Sequence, residues 1–190
     1  MPRSPVLFVP GLRDHVAEHW QTLLAAGIDG ARTVPPLEHD KLSCAARVEA
    51  LDRAIAELDA PPILVAHSAG VLMVAHWAQA HRRPIRAALL ATPPDIDRPL
   101  PAGYPVPEDL QAGGWLPVPR NPLPFPSILA ASANDPLCAP SVAAELAAAW
   151  GSRLVQIGKV GHLNPAAGYG PWPMARGLIE ALDRDEGAAP

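Results

Sequence analysis

The stretch Ile63-Leu64-Val65-Ala66-His67-Ser68-Ala69-Gly70 constrains this chain more than any other. Pro61-Pro62 lead into four apolar residues that read as a buried strand, and Val71 to Ala78 run on with the length and composition of a helix. Ser68 is left at a sharp strand-to-helix corner. In a G-x-S-x-G corner the serine is held in a strained backbone conformation with its hydroxyl clear of the chain, and the positions two before and two after must be small. Here they are Ala66 and Gly70, so the pattern departs at its first glycine. The same residues also suit a plain helix start capped by Ser68.

The rest of the chain alternates strands and helices. Val6 to Val9 read as a first strand broken by Pro10-Gly11, and Asp14 as the N-cap of a helix through Trp20 and Leu24 that ends near Gly27. Ala31 to Val34 suit a short strand. Ser43 to Leu58 carry Val48, Leu51, Ile55 and Leu58 at helical spacing, and Ile85 to Ala91 form another apolar run. Beyond a proline-dense segment from Thr92 to Pro126, further strands are expected at 127–132 and 153–157, with helices at 141–150 and 172–182. Alternation of this kind predicts an α/β fold: a mostly or wholly parallel sheet of about six strands with helices on both faces, in one domain spanning 1–190.

In an open parallel sheet, chemistry collects in loops that leave the carboxyl ends of strands. If Ser68 is a nucleophile it needs a base and a group to orient that base. Asp135, in Ser132-Ala133-Asn134-Asp135-Pro136, and His162, in Gly161-His162-Leu163-Asn164, each directly follow a predicted strand. The chain order Ser, Asp, His is the one expected of α/β-hydrolases. Asp95, Asp97 and Asp109 are rival acids ranked below Asp135. Backbone amides to hold an oxyanion are expected at Ala69, beside the serine, and at Leu12 after the first strand, where Gly11 permits close approach. Arg13, His67, Trp115 and Leu116 are candidate pocket residues, with the 92–126 segment as a lid or pocket wall.

Val-Pro-Gly after the first strand, His19-Trp20, Ala-His-Ser-Ala-Gly, Ser-x-Asn-Asp-Pro, and Gly-His-Leu-Asn followed by Gly168-Tyr169-Gly170-Pro171-Trp172-Pro173 occur in this order along most of the chain. The set resembles the small serine hydrolase family that includes the retinoblastoma-binding serine hydrolase and its bacterial relatives. The resemblance implies a compact α/β-hydrolase fold lacking the first strands of the full fold, with Ser68, Asp135 and His162 as its triad. It also implies activity on simple carboxylic esters, or on thioesters or amides, without cofactor or metal.

Two other classes compete. His15-Val16-Ala17-Glu18-His19 matches H-x-x-E-H, in which two helical histidines one turn apart bind zinc. A protein-interaction module would instead present Leu116 to Pro119 and Pro122 to Pro126 as polyproline ligands. Net charge is -4 with no basic run, which argues against nucleic acid. No stretch approaches the roughly 18 apolar residues of a membrane span, and the apolar run at the N-terminus is too short for a signal peptide, so a cytoplasmic location is expected. Cys44 and Cys138 form no framework and are expected as packed, reduced thiols.

Overall fold

A computed structural model describes residues 2–14 and 16–184. Among the described residues six strands form one wholly parallel sheet: β1 (Val6–Val9), β2 (Arg32–Thr33), β3 (Ile63–His67), β4 (Ala87–Ala91), β5 (Ser127–Ala131) and β6 (Arg153–Gln156), in the order β2-β1-β3-β4-β5-β6. The helices are α1 (Trp20–Ala25), α2 (Cys44–Ala56), α3 (Ala69–Ala80), α4 (Pro107–Ala112), α5 (Pro140–Trp150) and α6 (Met174–Arg184). This is the α/β-hydrolase arrangement anticipated from the sequence.

The central strands are apolar throughout because both faces of the sheet are covered. Side chains alternate between two cores. Leu7, Val9, Leu64, Ala66, Leu90 and Leu129 meet α2, α3 and α5 on one side. Val6, Phe8, Ile63, Val65, Leu89 and Ile128 meet Trp20 of α1 and Ile179 of α6 on the other. From β1 the chain moves one way to β2, and from β3 it moves the other way to β4. The crevice between the carboxyl ends of β1 and β3 is therefore the topological switch point, where open α/β sheets hold ligands.

Three elements differ from expectation. Helix α1 begins at Trp20 with His19 as its cap, the His19 ring accepting the Gln21 amide, so Asp14 caps nothing. Asp14 instead has φ 54° and pairs with Arg47, which removes it from the helix start. The proline-dense segment contains α4, with Pro107 in its first turn followed by Glu108 and Asp109. Its later part is not a free polyproline ligand: Val118, Leu123 and Phe125 are buried in the core, and Trp150 Nε1 donates to Pro119 O at 2.8 Å. Cys44 and Cys138 are both buried and unpaired. Among the described residues no helix is long and apolar enough to cross a membrane.

Candidate active site

The turn from β3 into α3 puts Ser68 at φ 56°, ψ -130°, a conformation that costs a non-glycine residue about 1–3 kcal/mol. Packing on both sides enforces it. A Cβ on Gly70 would lie 2.2 Å from Val9 O and 2.7 Å from Pro10 O, so only glycine lets α3 start against the end of β1. Two residues before the serine, Ala66 lies within the sheet and its methyl group enters the core. Alanine therefore fits where the broader pattern has glycine. Ser68 makes no side-chain cap to α3. Its hydroxyl donates instead to His162 Nε2 at 2.8 Å.

His162 and Asp135 arrive from the loops after β6 and β5. His162 Nδ1 donates to Asp135 Oδ2 at 2.9 Å and lies 3.1 Å from Oδ1. Both side chains are almost wholly shielded from solvent. The Leu137 amide donates to Asp135 Oδ1 at 2.9 Å, fixing the carboxylate's orientation. The rival acids point elsewhere: Asp97 pairs with Arg120, Asp95 lies near Arg98, and Asp109 is in the first turn of α4. A proton carried on Nδ1 leaves Nε2 as an acceptor facing a serine hydroxyl. Such a chain can draw a proton from Ser68 as its oxygen attacks.

Residues beyond the predicted set brace this chain. Asn134 Oδ1 accepts the Gly161 amide at 2.8 Å and the Ser132 hydroxyl at 3.1 Å, while Ser132 Oγ accepts the Val160 amide at 3.3 Å. These bonds tie the Asp135 loop to the His162 loop. His67 lies behind them, fully buried, and its Nε2 donates to His162 O at 2.9 Å. The His19 ring lies beyond, tilted at 59° to His67 with 4.6 Å between centroids. Burial, then the nearby His162, hold His67 well below the usual imidazole range and lower His19 to about 4. At neutral pH both are uncharged.

Above Ser68 opens a cavity of about 240 Å³. Its apolar walls include Leu12, Leu72, Ile96, Leu100, Leu110 and Trp115. The segment after β4 thus supplies much of the outer wall. Trp115 is fixed there, its Nε1 donating to Leu42 O at 2.7 Å while His76 Nε2 donates to its carbonyl at 3.1 Å. Leu116 does not line the cavity and packs, partly buried, against the core cluster that includes Trp115. Arg13 stands exposed at the rim, 5.9 Å from the Tyr104 ring centre. Leu12 and Ala69 both line the site, and their amides donate to no acceptor among the described residues.

The zinc pattern does not hold its premise. Residues 16–19 are not helical, so His19 and Glu18 do not lie on a shared helical face. His15 lies outside the described residues. Among those described, no group of three or more His, Cys, Asp and Glu side chains is arranged to hold a metal ion.

A family model described as serine hydrolase matches residues 6–181. The chain belongs to the serine hydrolase family. No curated protein matches this family member by sequence. Among solved structures, it is similar to a protein described as a YdeN-like hydrolase from Pectobacterium atrosepticum, at 28% identity and a TM-score of 0.80, covering 95% of this chain and 91% of that one. The ydeN gene product of B. subtilis is 16% identical with a TM-score of 0.64, over 94% of this chain and 98% of that one. Est1E from Butyrivibrio proteoclasticus, solved with ferulic acid bound, is 14% identical with a TM-score of 0.68, over 96% and 90%. The last two share the fold with this serine hydrolase.

Sequence reasoning about this family member missed Ser132, Asn134 and Arg47. The first two were visible as Ser-x-Asn-Asp-Pro, but their bonds to Val160 and Gly161 join segments nearly thirty residues apart.

Proposed function

We propose that this serine hydrolase cleaves small carboxylic esters, or related thioesters or amides, through a covalent acyl-enzyme. His162 takes the Ser68 proton as Oγ attacks the carbonyl carbon, and Asp135 holds the imidazole in place. The leaving group departs with the proton from His162, and water, activated by the same imidazole, then releases the acyl group as a carboxylic acid. The Leu12 and Ala69 amides hold the oxyanion in both steps, a contribution that reaches 10² to 10³ in rate for one donor, on the order of 3–4 kcal/mol.

One observation carries this reading: the unbroken line from Asp135 through His162 to Ser68, at 2.9 Å and 2.8 Å. The apolar cavity beside it favours an uncharged, hydrophobic acyl group. At about 240 Å³ it is smaller than most drug-sized ligand sites, which run to roughly 300–1,000 Å³. We read the whole chain as one hydrolase domain whose 92–126 segment acts as a fixed wall over the site, lid-like in position.

Ser68→Ala tests the assignment. The variant should keep its circular dichroism spectrum, lose labelling by a fluorophosphonate probe, and lose hydrolysis of p-nitrophenyl esters by at least about 10³-fold. Turnover retained by Ser68→Ala would sink the mechanism.

A further inference from the structure

Helix α2 buries an arginine. Its core face carries Cys44, Val48, Leu51 and Ile55, and Arg47 falls on that face, three residues after Cys44 and four before Leu51. Arg47 is 3% exposed. A guanidinium out of water is strongly destabilising unless its charge is paired and its N–H groups are satisfied. Here Nε donates to Lys41 O at 2.7 Å, Nη1 to Asp14 Oδ1 at 2.9 Å and Nη2 to Leu12 O at 3.4 Å. The Asp14 side chain is itself only 10% exposed.

Two of these three contacts fall on the loop Gly11 to Asp14, which faces Ser68. A Cβ on Gly11 would lie 3.1 Å from Ser68 Cβ, so this loop approaches the serine closely. Asp14 has φ 54°, a conformation a non-glycine residue keeps only where its surroundings fix it. In that conformation its amide donates to Gly11 O at 3.1 Å. The Gly11 carbonyl and the Leu12 amide belong to one planar trans peptide, so they point in opposite directions. Anchoring the carbonyl inside the turn therefore aims the Leu12 N–H out of it.

We infer that Arg47 and Asp14 are positioning residues for the oxyanion site, a buried ion pair that fixes the Gly11–Leu12 peptide so that its N–H meets the charge formed at Ser68. This rests on the proposed function, in which the Leu12 amide holds that charge. Arg47 does not line the cavity, and Asp14, which borders it, acts through the loop rather than on substrate. The pair acts through the loop, and its effect is confined to the transition state, where the oxyanion exists.

The test uses full-length Arg47→Met, Arg47→Lys and Asp14→Asn, the double variant Arg47→Met/Asp14→Asn, and Ser68→Ala as reference. On a p-nitrophenyl ester, Arg47→Met and Asp14→Asn should lower kcat about 10- to 100-fold while KM moves less than about threefold. Affinity for an alkyl boronic acid, which forms a tetrahedral anion on the serine, should fall in parallel with kcat. Because both side chains act on one loop, the double variant should lose little more than the worse single variant. Arg47→Lys keeps the charge without the fork and should fall between. A folded Asp14→Asn or Arg47→Met with kcat and boronate affinity within twofold of the parent overturns the inference, even if its melting temperature drops. Should Arg47→Met not fold, Asp14→Asn, nearly isosteric, decides on the same two readouts. Turnover surviving in Ser68→Ala overturns the underlying mechanism instead, whatever the other variants do.

Discussion

Burying one imidazole behind another sets a charge problem that this site solves by keeping two of the three neutral. His67 lies between His19 and His162, 4.6 Å and 5.0 Å from them between ring centres. Positive charge on either rear ring would be unsolvated, and it would oppose the imidazolium that the proposed mechanism forms on His162. The cost of this arrangement falls on stability in acid. His19 titrates at about 4 in the folded protein and 6.5 in its unperturbed form, because burial and then His162 disfavour its charge. Between those values the unfolded chain binds more protons, so folding stability falls as pH drops from 6.5 toward 4. In denaturant titrations the parent should lose on the order of 1–2 kcal/mol more than His19→Asn between pH 7 and 4.5. Asparagine leaves an acceptor for the Gln21 amide while removing the titration. Equal losses in both proteins would show that His19 is already charged or solvated.

At the level of elements, the site depends on α3 starting in contact with β1. That contact is set by Gly70, whose missing Cβ is the space occupied by the Val9 carbonyl. Backbone cannot yield as a flexible side chain does, so Gly70→Ala should lower the melting temperature by about 5–10 °C, the effect of 2–3 kcal/mol in a chain of this size. A melting temperature within 1 °C of the parent would contradict the packing described. Elements were legible where hydrophobic runs were long and the flanking breakers strong: β1, β3, β4, β5 and α3 stand close to where Val6 to Val9, Ile63 to Ala66 and the later runs place them. Helix α1 was misplaced because Asp14 has the chemistry of a cap and a different partner, Arg47, thirty-three residues away. Helix α4 was hidden among prolines, although Pro107 followed by two acidic residues is itself a helix start.

Across the whole molecule, what could be read from sequence about the candidate site is what local chemistry announces. Ser68, Asp135 and His162 each combine a reactive type with a position just after a strand. The supports around them could not be read this way, because Arg47 and Asn134 work through contacts between distant segments. Trp115 and Leu116 illustrate the same limit, since two neighbours in an aperiodic loop give no sign of which faces the cavity. The parallel order of the sheet carries a kinetic consequence. Ser68 is joined to a histidine ninety-four residues later in the chain, delivered by β6, the strand at one edge of the sheet. Contacts of such span close late in folding, since they carry the largest loop entropy. On the proposed mechanism, Ser68 is an ordinary alcohol until β6 docks. Chemical reactivity is then the last property the chain acquires, and fluorophosphonate labelling during refolding should lag behind the recovery of helical circular dichroism; simultaneous recovery would place the docking of β6 earlier. A nascent chain emerging in order would likewise be chemically silent until the segment carrying β6 and His162 had folded.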